Sequence, residues 1–194
     1  LAHGLGAVPK FMIVKARSAS GTTWAVYAGA AGNGYLDLGT TAAFASGSWA
    51  FDNTDPTSSV FTVNSGLSGS STTYIAYLYI EKEGFSKFGI YEGTGNADGA
   101  FVYTGFRPAF IMIKSIDATR HWGIHDNKRS TYNPSINQID PDAAYAAYDS
   151  TGRARDFLSN GFKLRTNDAD VNGSGETYAY MAWAENPFKY TTAK

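Results

Sequence analysis

The chain contains no cysteine, which excludes disulfides, thiolate metal sites and a cysteine nucleophile. Charge is scarce: 16 Lys and Arg against 17 Asp and Glu give a net charge of -1, too weak a field to hold a nucleic-acid backbone. Long apolar runs are also missing. The longest aromatic-aliphatic stretch, Tyr74 to Ile80, falls far short of the roughly 18 residues a membrane span needs. No charged-then-apolar leader opens the chain. Neither a nucleic-acid partner nor membrane insertion is therefore expected. The chain begins Leu1-Ala2-His3 without a Met, which reads as a processed product or a piece of a longer polypeptide with sequence before Leu1 missing.

One absence is local. From Ser18 to Glu81 there are 64 residues without a Lys or Arg, and the acids there are only Asp37, Asp52, Asp55 and Glu81. Residues 101–194 carry 11 bases and 10 acids. Charged groups are depleted from interface cores because desolvating them is costly, so the neutral part suits packing against neighbouring molecules. The part bearing Arg107, Arg120, Lys128, Arg129, Arg153 and Arg155 suits water or an anionic partner.

What is abundant points to strands. Apolar residues make up 43% of the chain, enough for a core, and 12 Phe, 13 Tyr and 4 Trp accompany 21 Gly. A repeat organises them. Gly6, Pro9, Phe11, Ile13 and Lys15 recur 99 positions on as Gly105, Pro108, Phe110, Met112 and Lys114. Trp24 to Tyr27 recurs at Trp122 to His125, an offset of 98, and Thr41 to Ala45 at Asp142 to Ala146, an offset of 101. Phe61-Thr62-Val63 returns at 101 as Phe162-Lys163-Leu164, and Thr73-Tyr74 with Glu81 returns at 104 as Thr177-Tyr178 with Glu185. Ordered blocks whose offsets drift only at Gly, Asn and Ser-rich loops predict a duplication, and a period near 100 fits an independent sandwich-like unit.

Each copy alternates apolar runs with turn chemistry such as Ser20-Gly21, Asn64-Ser65-Gly66, Asn160-Gly161 and Asn172-Gly173. The expectation is an all-β protein of two tandem, similar β-sandwich domains, residues 1–90 and 91–194, with little helix. The one helix predicted covers Asp142–Tyr148, capped by Asp140 with Pro141 in its first turn. Trp24 and Trp122, matched between copies, are expected in the core, and His125, at the Tyr27 position, is expected to fill a packing slot.

His3-Gly4-Leu5-Gly6 with Pro9 and Lys15, Trp24 to Tyr27, Thr104 to Pro108 with Lys114, Leu158 to Lys163 and Ala184 to Phe188 together resemble a repeat domain of tailed-bacteriophage virion proteins, across nearly the whole chain. The resemblance implies a place on the virion surface, in a tail fibre or tail tip and so extracellular, with homo-oligomers and other virion proteins as partners and no catalytic residues. It also implies a strand before each Gly-x-x-Pro block. The second copy has one at Phe88 to Tyr91; in the first it would lie before Leu1 or come from a neighbouring subunit.

Chemical motifs are sparse. No Gly-x-Ser-x-Gly elbow occurs, and no cofactor is expected. Gly93-Thr94-Gly95-Asn96 reads as a hairpin turn. Asp168, Asp170 and Asn172, followed by Glu176, alternate oxygen ligands around a turn and make calcium a candidate; an EF-hand would place its last carboxylate at Ala179. Trp49, Tyr132 and Tyr148 lie in loops and could stack on sugar rings of a host surface glycan. The function read from the sequence is a non-enzymatic tail-fibre or adhesin module for assembly and host attachment. Its rivals are a capsid-decorating or structural virion protein and a polysaccharide-degrading tail enzyme.

Overall fold

The computed structural model describes residues 1–187. The chain is all-β, as the alternation predicts, and all its sheets are antiparallel. The first sheet contains β1 (Phe11–Ala16), β2 (Ala25–Ala28), β3 (Gly34–Asp37), β4 (Ala45–Ser46) and β5 (Tyr74–Tyr79) in the order β4-β3-β2-β1-β5. The strands that follow are β6 (Ser86–Glu92), β7 (Phe101–Tyr103), β8 (Pro108–Ser115), β9 (Gly123–Asp126), β10 (Asn137–Gln138), β11 (Tyr148–Asp149), β12 (Arg155–Leu158) and β13 (Gly161–Leu164). A single helical turn, α1 (Ala169–Asn172), and β14 (Thr177–Ala184) complete the chain. They form a second sheet in the order β6-β14-β8-β9, a third in the order β12-β13-β7, and the small pair β10-β11.

Strand alternation sorts the side chains into three apolar layers. Met12, Val14, Ala25 and Tyr27 leave one face of the first sheet and pack under Ala50, Phe51, Phe61 and Leu67. Phe11, Ile13, Val26, Ala28 and Leu36 leave the other face and meet Phe88, Met112, Trp122, Ala179 and Met181 of the second half. The far face of the second sheet, with Ile111, Ile113, Tyr178, Tyr180 and Ala182, packs on Phe157, Phe162 and Leu164 of the third. The second sheet is thus covered on both sides, and each fully buried large side chain adds roughly 1.5–3 kcal/mol. The division expected after residue 90 falls inside β6, and the middle layer is shared by both halves.

Strand pairing follows the sequence offsets. Phe11 faces Ala28 and Ile13 faces Val26; 99 and 98 positions on, Phe110 faces Asp126 and Met112 faces Ile124. Phe11 also faces Tyr79 and Ala16 faces Tyr74; at 99 and 104, Phe110 faces Trp183 and Ser115 faces Tyr178. The turn before the last strand agrees too. Gly69 N–H donates to Tyr74 Oη at 3.1 Å, and Gly173 N–H donates to Tyr178 Oη at 2.8 Å.

Three local expectations are overturned. Residues 142–147 are turn and irregular backbone leading into β11 at Tyr148, rather than a helix, because Asp140 directs its carboxylate to Tyr145, Tyr148 and Arg153 instead of capping, and Asp142 accepts from the Trp122 N–H. Trp24 lies just outside β2 and is 39% exposed, with the Lys15 ammonium 5.4 Å from its ring centroid, whereas Trp122 is buried. Gly93 to Gly99 is no hairpin but a crossover from the second sheet to the third, closed by Gly95 N–H to Asn172 O at 2.8 Å.

Candidate functional site

A cleft of about 530 Å³ opens where the two halves meet. The loop before β1 supplies Val8, Pro9 and Lys10, the end of β2 supplies Tyr27 to Ala30, and the second half supplies Phe88, Gly89 and Tyr180. Asp55, Pro56 and Glu81 close its rim. Tyr27 Oη donates to Asp55 Oδ1 at 2.9 Å. Burial and this carboxylate push the Tyr27 phenol well above its usual range. Burial, helped by the Glu81 charge, raises Tyr180 to about 12. Glu81 is itself paired with Lys87 at 2.7 Å. A Cβ on Gly89 would come 3.0 Å from the Tyr180 ring, so glycine there makes room for the phenol.

The cleft presents the Tyr180 phenol as a donor, the Tyr27 phenol with its proton committed to Asp55, two acidic side chains and one lysine, beside apolar Pro9, Phe11 and Phe88. That combination suits a polar ligand with both hydroxyl and C–H surface. Its residues come from segments far apart in the chain and form no local motif, and the sequence signal they carry is the offset match of Tyr27 to His125 and of Glu81 to Glu185.

The residues singled out from the sequence do not assemble into one site. Trp49 lies against the Tyr35 ring at 5.0 Å and on the backbone of Gly66. Tyr132 is 85% exposed, and Tyr148 points its hydroxyl at Asp140 and Arg153, each at 3.0 Å. None of the three lines the cleft.

The acidic loop is likewise dispersed. Asp168 caps α1 by accepting the Asp170 N–H at 2.8 Å, and Asp170 pairs with Arg153. Asn172 is buried and turned inward to Thr94, Asn96 and Thr166. Glu176 pairs with Arg120 at 2.7 Å, which holds its carboxyl below the usual range. Among the described residues no cluster of three or more His, Cys, Asp or Glu is arranged for a metal. Because each of these four side chains already has a protein partner, adding a chelator is expected to leave the melting temperature unchanged in a thermal scan; a fall of several degrees would contradict the assignment of these side chains to internal partners.

The second half instead concentrates buried polar groups. Gln138 Oε1 takes the His125 Nε2 proton at 2.8 Å and an Arg155 Nη2 proton at 3.3 Å, and Ser135 Oγ lies 3.2 Å from His125 Nδ1. Gln138 Nε2 donates to Asp140, which also accepts from Tyr145, Tyr148 and Arg153. Nearby, the Lys114 ammonium is fully buried and donates to Thr41 O at 3.1 Å and Ser115 O at 3.0 Å, and burial lowers its pKa to about 8.

Burial first, and then the Arg155 charge, hold His125 neutral well below the usual histidine range. Below about pH 6.5 the unfolded chain binds a proton at this residue that the folded chain refuses, so stability must fall as pH drops, by up to about 1.4 kcal/mol per pH unit. Urea unfolding at pH 7.5 and 5.5 measures the slope, and His125→Gln is expected to flatten it. An unchanged slope would place the acid sensitivity elsewhere.

The arrangement is that of an all-β protein with a polar, aromatic-walled cleft between two packed halves. The chain belongs to the family defined as a domain of unknown function, DUF7483, whose model matches residues 1–187. No curated protein and no solved structure matches it. No helix among the described residues is long and apolar enough to cross a membrane.

Proposed function

We propose that this chain is a non-enzymatic surface module of a tailed-phage virion, made of two copies of one β unit that pack on each other and present a ligand cleft outward. The observation that carries the reading is the strand register. Pairs such as Phe11 with Tyr79 and Phe110 with Trp183 keep the offsets of the sequence repeat, which supports the two-unit part of the reading; the phage setting is drawn from the resemblance of His3 to Gly6, Trp24 to Tyr27 and Thr104 to Pro108. In this reading the halves meet through equivalent faces, Phe11 and Ile13 of one with Phe110 and Met112 of the other, as the protomers of a two-fold dimer would.

The cleft supports a glycan as the ligand. Phenols, carboxylates and a lysine supply hydrogen bonds to hydroxyls, and Pro9 with its aromatic neighbours supplies apolar surface. Affinity would come from repetition: a weak site on an oligomer gains through effective concentration. Immunogold labelling of particles tests the location, and glycan-array binding lost in Tyr27→Phe/Asp55→Asn tests the ligand. Labelling confined to the particle interior, or array binding indifferent to both changes, would overturn the corresponding half of the proposal. Array silence with labelled capsids would favour the decorating role.

A further inference from the structure

In the second half, β6 pairs with the outer edge of β14 from Thr177 to Trp183, and its half-buried Tyr91 ring packs beside that edge. The ring stacks on Tyr178 at 5.1 Å, meets Phe162 edge-on at 6.1 Å and Tyr180 at 6.3 Å, and its hydroxyl donates to Val171 O at 2.7 Å. Moving back by 104, 101, 104 and 104 positions replaces these four by Tyr74, Phe61, Ala76 and Leu67. Those residues line an open cavity of about 280 Å³ on the first sheet. Among the described residues no strand pairs with the outer edge of β5. Every β5 residue is partly exposed, where five in a row are buried in β14. Its sequence, Tyr-Ile-Ala-Tyr-Leu-Tyr, has none of the charges, prolines or bulges that normally shield a sheet edge.

We infer that the edge of β5 and the adjoining cavity accept an extended strand from a neighbouring polypeptide, added antiparallel, with an aromatic side chain seated between Tyr74, Phe61 and Leu67. The partner carries the β6 pattern: a Phe for the layer shared by the halves and, three residues on, a Tyr for the cavity, as Phe88 and Tyr91 do. Main-chain hydrogen bonds supply affinity, and the ring in its cavity supplies selectivity. This inference rests on the two-unit reading above, and a particle supplies the neighbours at high local concentration.

The test uses the whole 194-residue chain and a peptide with the sequence of residues 84–95, followed by calorimetry and amide exchange. Saturable binding is expected, with slowed exchange at Tyr74–Tyr79, and a peptide carrying Tyr91→Ala should bind at least tenfold more weakly. Absence of binding at millimolar peptide, equal binding of the two peptides, or binding without protection of β5 overturns the inference. So does a free chain that is dimeric with β5 already protected, since a second copy then holds the edge. Any of these failures leaves the virion reading to the particle labelling, which does not depend on the peptide.

Discussion

Trp122→Ala is expected to remove about 3–5 kcal/mol of stability, a large share of the 5–15 kcal/mol typical of a folded domain. The indole is 1% exposed and sits in the layer between the first and second sheets, with Phe11, Ile13 and Val26 on the opposite side. Its Nε1 donates to Asp37 O at 2.9 Å, so truncation both opens a void and leaves that carbonyl with only the Thr40 N–H at 3.3 Å. Because the layer belongs to both halves, the loss should appear as one earlier cooperative transition rather than as the early melting of residues 91–187. Denaturant unfolding followed by far-ultraviolet circular dichroism and by tryptophan fluorescence decides this. A loss under 1 kcal/mol, or two separated transitions with only one displaced, would show that the layer does not couple the halves.

Asn172→Leu is expected to cost about 3 kcal/mol or more, although the two side chains have the same number of heavy atoms and the same branching. Asn172 Oδ1 accepts the Thr94 N–H at 2.9 Å, and its Nδ2 donates to Asn96 O at 2.8 Å and Thr166 O at 2.6 Å. Leucine would leave the Thr94 N–H and the Asn96 and Thr166 carbonyls without these bonds, the Thr166 carbonyl in a buried setting, at about 1–3 kcal/mol for each group shielded from water. Asp168→Ala removes the cap of a one-turn helix and a long 4.0 Å ion pair with Arg153, and should cost about 1 kcal/mol. Measuring the two side by side separates an organiser of the β6–β7 crossover from an ordinary cap. Equal costs would refute the distinction.

The strands were legible where alternation was clean. β1, β5, β8 and β14 coincide with the apolar blocks that define the repeat, because a residue facing a covered sheet must be apolar at every second position. Periodicity does not say which sheet supplies the cover. Phe11 and Ile13 read as the inside of one sandwich, whereas they pack against the other half of the chain. Asp168-x-Asp170-x-Asn172 shows why a liganding pattern is ambiguous: a capping Asp, an ion-paired Asp and a buried Asn produce the same letters as a cation loop. The Asp142–Tyr148 segment misled through its alanines, since helix propensity there yields to the demand of Tyr145, Tyr148 and Arg153 for the Asp140 carboxylate. The cleft was invisible for a simpler reason. Tyr27, Asp55, Glu81 and Tyr180 stand on four separate segments, and only pairing of the strands brings them together.

The loop from Asp37 to Phe44 is fastened to the second half mostly through peptide groups: Phe44 N–H to Ile116 O, Arg120 N–H to Thr41 O, and the Trp122 indole to Asp37 O, each at 2.9 Å. A main-chain amide survives exchange of the side chain it carries. Exchange of the Thr41 side chain accordingly leaves the seam closed, whereas Asp37, Phe44, Ile116 and Arg120 also carry side-chain contacts that a substitution would remove.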